Sequence, residues 1–279
     1  MTTSDSEKKI KRILVALDAS PHSLAALEMG TELAAKLGAE LTGIFVEDIN
    51  IHRLANLPFA NEVGFLTASI RKLDTPLVSR EFRTLARQAY QAMELLAKRR
   101  NLSWSFRRVQ GVIPMELINA ASDADLILLG KSGWSKRKQM GSTARVVVID
   151  APRQAFFLRP GIQIGLPMLV LYDGSPIARK TLGVALLIHT GNHPVNILVL
   201  AKQESVAEKL QSDVIRQAEM AGNPVELQWT PDLDLSILAN MTTSSSCGIL
   251  ILPAESEYID EDNLIELLDN TDCGVLIIR

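Results

Sequence analysis

The sequence predicts an α/β protein built from two doubly wound, five-stranded parallel sheets, each with strand order 3-2-1-4-5. Three observations predict this class. Short apolar runs alternate with helical periodicity along all 279 residues, as right-handed βαβ crossovers require. The run Ile13–Ser20 (ILVALDAS) recurs as Met168–Ser175 (MLVLYDGS), with Asp18 and Asp173 lying 155 residues apart. Each copy continues into a proline, Pro21 or Pro176. A repeat offset of more than half the chain marks a duplicated domain, divided as 1–160 and 161–279.

The elements of the first half follow in order. Residues 12–17 read as a strand covered on both faces, and Asp18-Ala19-Ser20-Pro21 supplies a turn and a helix start. The next helix places Ala26, Leu27, Gly30, Leu33, Ala34 and Leu37 on one face and stops at Gly38. Leu41 to Val46 is a second strand. Glu47 to Asp74, with Pro58 and Gly64, is an irregular excursion holding one short helix. Its Leu54, Leu57, Phe59 and Phe65 suit either a lid or a contact surface for lipid or protein. A helix from Pro76 to Arg100 buries Leu85, Ala89, Met93 and Leu96, and its basic last turn suits the negative helix end. Trp104 to Val109 is the third strand, Pro114 opens a helix, and Leu126 to Leu129 is the fourth strand. A helix over Ser142–Ile149 and a fifth strand over Ala155–Leu158 complete the half. Arg159–Gln163 contains Pro160-Gly161 and reads as the linker.

The second half repeats the order without the excursion. Its strands are Leu169–Leu171, Val195–Leu200, Val225–Trp229, Ile249–Leu252 and Val275–Ile278. Helices are expected after Pro176, near 206–220, near 235–241 and over 262–268.

Composition removes several function classes. A net charge of −3 and a pI near 5.9 lack the basic excess of a nucleic-acid binder. No apolar run approaches the roughly 20 residues of a membrane span. The opening MTTSDSEKKIKR has no secretory apolar core, so the expected address is the cytoplasm. Cys247 and Cys273 fit a reducing compartment and precede neighbouring strands of one sheet edge. Two inert thiols and a redox pair both remain open.

Chemistry concentrates at one predicted crevice. Ligands of open parallel sheets sit at the carboxyl ends of strands where strand order reverses. Asp18 ends the first strand there and Gly130 ends the fourth. A carboxylate at that point accepts hydrogen bonds from ribose hydroxyls. Gly130 and Gly133 let backbone approach a polyphosphate, and Gly141-Ser142-Thr143 opens a helix whose free N–H groups favour an anion. Lys131, Lys136, Arg137 and Lys138 lie in or beside that loop and offset phosphate charge. The competing reading makes Asp18 a helix cap and the glycines mere turn residues. In the second half Pro253-Ala254-Glu255-Ser256 offers no glycine cradle, and Glu255 and Glu257 repel phosphate. Asp173 is therefore expected to cap its helix.

Other motifs fail. A Walker A loop needs a glycine where Asp125 stands. Gly191, Asn192 and Pro194 break the helix that would align His189 and His193 on a metal, and His22 and His52 have no Cys/His company. No Gly-x-Ser-x-Gly elbow or Ser/His/Asp set occurs, so no catalytic residue and no metal ligand is assigned.

These motifs resemble the universal stress protein family in its tandem two-domain form, over essentially the whole chain. The resemblance rests on the strand-Asp-x-Ser-Pro opening, the Gly-x-x-Gly after the fourth strand and the Gly-Ser-Thr that starts the next helix. It implies Rossmann-like domains of the adenine nucleotide alpha hydrolase-like type and a site for ATP or ADP, with or without Mg. Ala16 and Asp18 would face adenosine, Val46 would line the adenine, and Gly130, Gly133, Gly141, Ser142 and Thr143 would hold phosphates. One departure stands out. The family spaces its second and third glycines by nine residues, and Trp134–Met140 makes seven. The shorter loop draws the cradle inward, selects a smaller nucleotide or abolishes binding. The resemblance also implies pairing through the fifth strands, Ala155–Leu158 and Val275–Ile278, as an internal pseudo-dimer, with a further homodimer left open. The expected function is a non-enzymatic, at most slowly hydrolysing, ATP/ADP-binding stress-response regulator. The alternative is a stress-linked interaction module that binds no nucleotide.

Overall fold

The computed structural model describes residues 10–63, 70–133, 139–190, 193–234, 238, 241–242 and 247–279. The first half runs β1 (Arg12–Leu17), α1 (Pro21–Leu37), β2 (Glu40–Asp48), α2 (Ile49–Ala55), β3 (Asn61–Val63), β4 (Ile70–Lys72), α3 (Thr75–Arg99), β5 (Trp104–Gly111), α4 (Ile113–Ala121), β6 (Leu126–Gly130), α5 (Ser142–Asp150) and β7 (Gln154–Leu158). The second runs β8 (Met168–Tyr172), α6 (Pro176–Ile188), β9 (Val195–Leu200), α7 (Glu204–Ala221), β10 (Val225–Thr230), β11 (Ile249–Pro253), α8 (Glu261–Asn270) and β12 (Gly274–Ile278). The helix expected near 235–241 falls largely outside the described residues.

One ten-stranded sheet takes the order β10-β9-β8-β11-β12-β7-β6-β1-β2-β5. Each half contributes five strands in the predicted 3-2-1-4-5 order, and every pairing within a half is parallel. The halves meet where β7 and β12 pair antiparallel, with Phe157 opposite Val275 and Ala155 opposite Ile277. All ten residues of these two strands are buried. Either strand alone would be a flat apolar edge, so the junction covers what would otherwise invite aggregation.

Two apolar layers sandwich the sheet. Alternate residues of each central strand face opposite sides, so Phe156 and Leu276 join one layer while Phe157 and Val275 join the other. Helices α1, α3, α6 and α7 pack in the first layer, and α4, α5 and α8 in the second. Both layers run through the two halves without a break.

The excursion differs from its expectation. It carries the short helix α2, capped by Asp48, whose carboxylate accepts from the Asn50 amide at 2.8 Å, and also an antiparallel ribbon of β3 with β4. Three-residue strands are too short to leave a periodic signal, which is why the ribbon was not anticipated.

Candidate nucleotide site

Strands β1 and β6 are parallel neighbours with Val15 opposite Leu128, so they finish level at Leu17 and Gly130. Asp18 follows immediately. Its Oδ1 accepts from the Ser20 amide at 2.9 Å, and its own N–H donates to Ser23 Oγ at 3.3 Å. Helix α1 is capped by Ser20, whose Oγ accepts from the Ser23 amide at 3.2 Å. Capping therefore belongs to the serine and not to the aspartate. Asp18 Oδ2 faces Gly133, where an added Cβ would lie 3.0 Å from it. The two segments that sequence spacing separates by more than a hundred residues meet at one mouth.

Gly130 is required by close approach: a Cβ there would sit 2.7 Å from His22 Cβ and 2.9 Å from the His22 carbonyl carbon. Ser132 Oγ and His22 Nε2 lie 3.2 Å apart across the mouth. Burial lowers the His22 pKa, the Leu158 carbonyl and Asp18 pull it back, and Arg159 and Lys131 push it down. The ring is neutral at pH 7. His22 and Ser132 are 110 residues apart, and no sequence motif joins them.

Lys131 corrects an expectation. Its side chain is 1% exposed and Nζ donates to the Thr271 carbonyl at 2.6 Å, in the other half of the chain. It cannot meet a phosphate at the mouth. The backbone fixes this direction, because the Lys131 N–H donates to Leu158 O at 2.8 Å and its carbonyl accepts from the Gly141 N–H at 3.0 Å. Burial, then Arg159, lowers its pKa to about 8, with Cys273, Asp272 and Asp269 resisting the shift. Lys136, Arg137 and Lys138 lie outside the described residues.

Gly141 is the N-cap of α5, which has no side-chain cap. A Cβ at Gly141 would make only ordinary contacts, at 3.9 Å, and φ is −66°, so nothing within the described chain demands glycine there. Ser142 is exposed and Thr143 half-buried in the first turn. The loop end is clipped to α8, where Asp269 accepts from the Met140 amide at 2.7 Å and pairs with Arg145. Ala16, half-buried, and Val46, buried, both pack on the sheet layer that holds Leu129. They flank the mouth on the side away from α1.

In the second mouth the aspartate is satisfied within the chain. Asp173 Oδ1 accepts from the Ser175 amide at 2.9 Å, and Ser175 Oγ caps α6 through the Ala178 amide at 3.1 Å. The expected cap thus moves from Asp173 to Ser175. Asp173 Oδ2 accepts from Ser256 Oγ at 2.9 Å. Asp173 and Ser256 themselves line an open hollow of about 890 Å³, whose wall also carries Glu255, Glu257, Asp260 and Glu261. That lining repels polyphosphate. Among the described residues there is no group of three or more His, Cys, Asp or Glu fit to hold a metal, and no helix long and apolar enough to cross a membrane.

The whole architecture is shared with solved structures. A universal stress protein from Archaeoglobus fulgidus superposes with a TM-score of 0.70 at 17% identity, covering 96% of this chain and 98% of its own. A functionally unknown protein from Pseudomonas aeruginosa does so with a TM-score of 0.59 at 11% identity, covering 99% of this chain and 94% of its own. At such identities these likenesses establish the fold alone. No curated protein matches the chain. The universal stress protein family matches residues 9–154, a little over half of the chain and the part that holds the Asp18–Gly133 mouth. The chain belongs to the universal stress protein family.

Proposed function

We propose that residues 1–160 bind ATP or ADP, and that the protein is a non-enzymatic stress-response regulator of the cytoplasm. Residues 161–279 then form a degenerate partner domain, joined to the first as an internal pseudo-dimer. One observation carries the reading: Asp18 Oδ2 faces a glycine backbone, at Gly133, on the carboxyl edge of the sheet and without a hydrogen-bond partner among the described residues. Family membership makes a nucleotide the natural occupant.

The residues present fit such a ligand. Asp18 accepts hydrogen bonds from ribose hydroxyls, Ala16 and Val46 give the base an apolar wall, and Gly130 and Gly133 expose backbone to phosphates. The uncapped first turn of α5, at Gly141, Ser142 and Thr143, offers N–H donors to an anion. The clip from Met140 and Arg145 to Asp269 ties this loop to the other half, so occupancy biases how the halves pack.

The Ser132–His22 contact, which spans the mouth, favours a second reading, an interaction module that takes no nucleotide. Calorimetry separates the two. ATP and ADP are expected to give saturable heat with the native chain and none with Gly130→Asp, whose side chain would collide with His22. Absence of heat in both chains, together with no adenine absorbance released on denaturing the purified protein, would select the interaction module.

A further inference from the structure

The two cysteines lie at the amino edge of the second half, and the sheet register there is informative. Ile249 pairs with Gly274, which sets Gly248 opposite Cys273. In a regular strand Cys247 would then point to the face opposite Cys273. Instead both pack in the same layer as Leu250 and Val275. The chain bends at Gly248, whose N–H donates to Pro167 O at 2.8 Å. A Cβ at Gly248 would lie 2.2 Å from Leu166 Cβ, so the bend depends on glycine. Cys247 stands one residue off the position opposite Cys273, so a strand spacing of about 4.8 Å and a rise of about 3.3 Å give a diagonal Cα separation of about 6 Å, inside the roughly 4.4–6.8 Å that a disulfide spans.

The thiols are neighbours at the edge of the second apolar layer. Cys247 Sγ donates to the Ile249 carbonyl at 3.3 Å. The neighbouring thiols bias each other's titration, lowering the Cys273 pKa and raising that of Cys247. Lys131 also favours the Cys273 thiolate. Its ammonium is anchored next door on Thr271 O. Cys273 is 1% exposed, whereas Cys247 is half-buried and is the more exposed residue of the two.

We propose that Cys247 and Cys273 form a reversible redox site, which a low-molecular-weight disulfide oxidises to an intrachain bridge, and that Lys131 relays the change to the Gly130–Gly133 loop. The pair's shared proton passes to Cys273, and Cys247 as thiolate attacks one sulfur of the small disulfide. A mixed disulfide forms on Cys247 and one small thiolate leaves, taking the proton from Cys273. The Cys273 thiolate then attacks the Cys247 sulfur, the bond to the small thiol breaks, and the second small thiolate departs. The protein loses two electrons and the small disulfide gains them, leaving as one thiol and one thiolate, which water protonates. Bridging removes the thiolate that faced the Lys131 ammonium, and Lys131 belongs to the loop itself. None of this requires nucleotide.

The test treats the full chain with oxidised glutathione, quenches in acid, alkylates in urea and reads masses. The native chain is expected to lose both alkylatable thiols, to weigh less by two hydrogens, to yield a linked Cys247–Cys273 peptide pair and to recover with dithiothreitol. Cys273→Ser should stop at a glutathione adduct on Cys247. Lys131→Met should slow closure about tenfold and accumulate that same adduct, a signature that a merely structural lysine would not produce. Two thiols still alkylatable after oxidation, or a native adduct that never closes, would overturn the bridge. Amide exchange at Ser132 and Gly133 should change on bridging, and unaltered exchange would overturn the relay through Lys131.

Discussion

The two mouths of this protein share one framework and differ in what meets the aspartate and in the glutamates that line only the second. Lys131 N–H donates to the last residue of β7 and Ala254 N–H to the last of β12, each at 2.8 Å, so the loops after β6 and β11 align position by position. Gly133 then matches Ser256. At Gly133 the Asp18 Oδ2 looks onto bare backbone, whereas at Ser256 a hydroxyl donates to Asp173 Oδ2 at 2.9 Å. Among the described residues Asp18 Oδ2 has no hydrogen-bond partner, whereas Asp173 Oδ2 is satisfied within the chain. The serine hydroxyl gives the half-buried Asp173 carboxylate the hydrogen bond that a polar group away from water needs.

The sharpest way to break the comparison is to exchange what meets the aspartate. Gly133→Ser should place a hydroxyl on Asp18 Oδ2 and weaken ATP or ADP binding at least about tenfold, close to 1.4 kcal/mol or more. Thermal unfolding should remain near native. Ser256→Gly should not create a second site, because Glu255 and Glu257 still face the hollow. Calorimetry on both variants checks this, and unchanged affinity in Gly133→Ser would remove Asp18 from the site.

Lys131 against Ala254 gives the next effect. The folded chain holds Lys131 near pKa 8, against 10.5 when unfolded. Between those values the unfolded chain binds more protons, so stability rises with pH through that window, and the penalty is full below pH 8. The span is worth up to about 3 kcal/mol. Denaturant unfolding from pH 7 to 10 should show the native chain gaining on Lys131→Met, while parallel profiles would place Lys131 in water.

Much of this was legible in the sequence because it is periodic or local. The two apolar strand openings, the prolines at the helix starts and the strand order all follow from patterning that burial imposes on both sheet faces. The convergence of Asp18 with Gly130 and Gly133 follows from strand order alone. What was not legible depends on side-chain direction. Lys131 looked like a phosphate ligand, yet the alternation of its loop turns it onto Thr271. His22 meets Ser132 only because β1 and β6 are neighbours, and the bend that aligns Cys247 with Cys273 depends on Leu166 pressing on Gly248.

The turn after the first strand of each half separates the copies again. Gly174 holds φ +79° and Ala19 holds φ +61°, the same left-handed position with different residues. Gly174→Ala adds the left-handed cost of about 1–2 kcal/mol and sets a Cβ 2.3 Å from Leu210 Cδ2. Leu210 is a flexible end that can shift, so a loss of about 2–3 kcal/mol in chemical denaturation is expected.

The reverse change, Ala19→Gly, is the smallest and the most discriminating. Alanine at φ +61° stores strain that glycine would release, yet glycine also makes the unfolded chain more disordered by about 0.4–1 kcal/mol. The two nearly cancel, and a net gain below about 1 kcal/mol is expected. The side-chain methyl of Ala19 follows directly on Asp18, so its strained turn fixes where the carboxylate points. Ala19→Gly should therefore loosen nucleotide binding more than its slight effect on unfolding suggests. Equal affinity in the variant would mean that the Asp18–Ser20 hydrogen bond, and not the strained residue between them, holds the carboxylate in place.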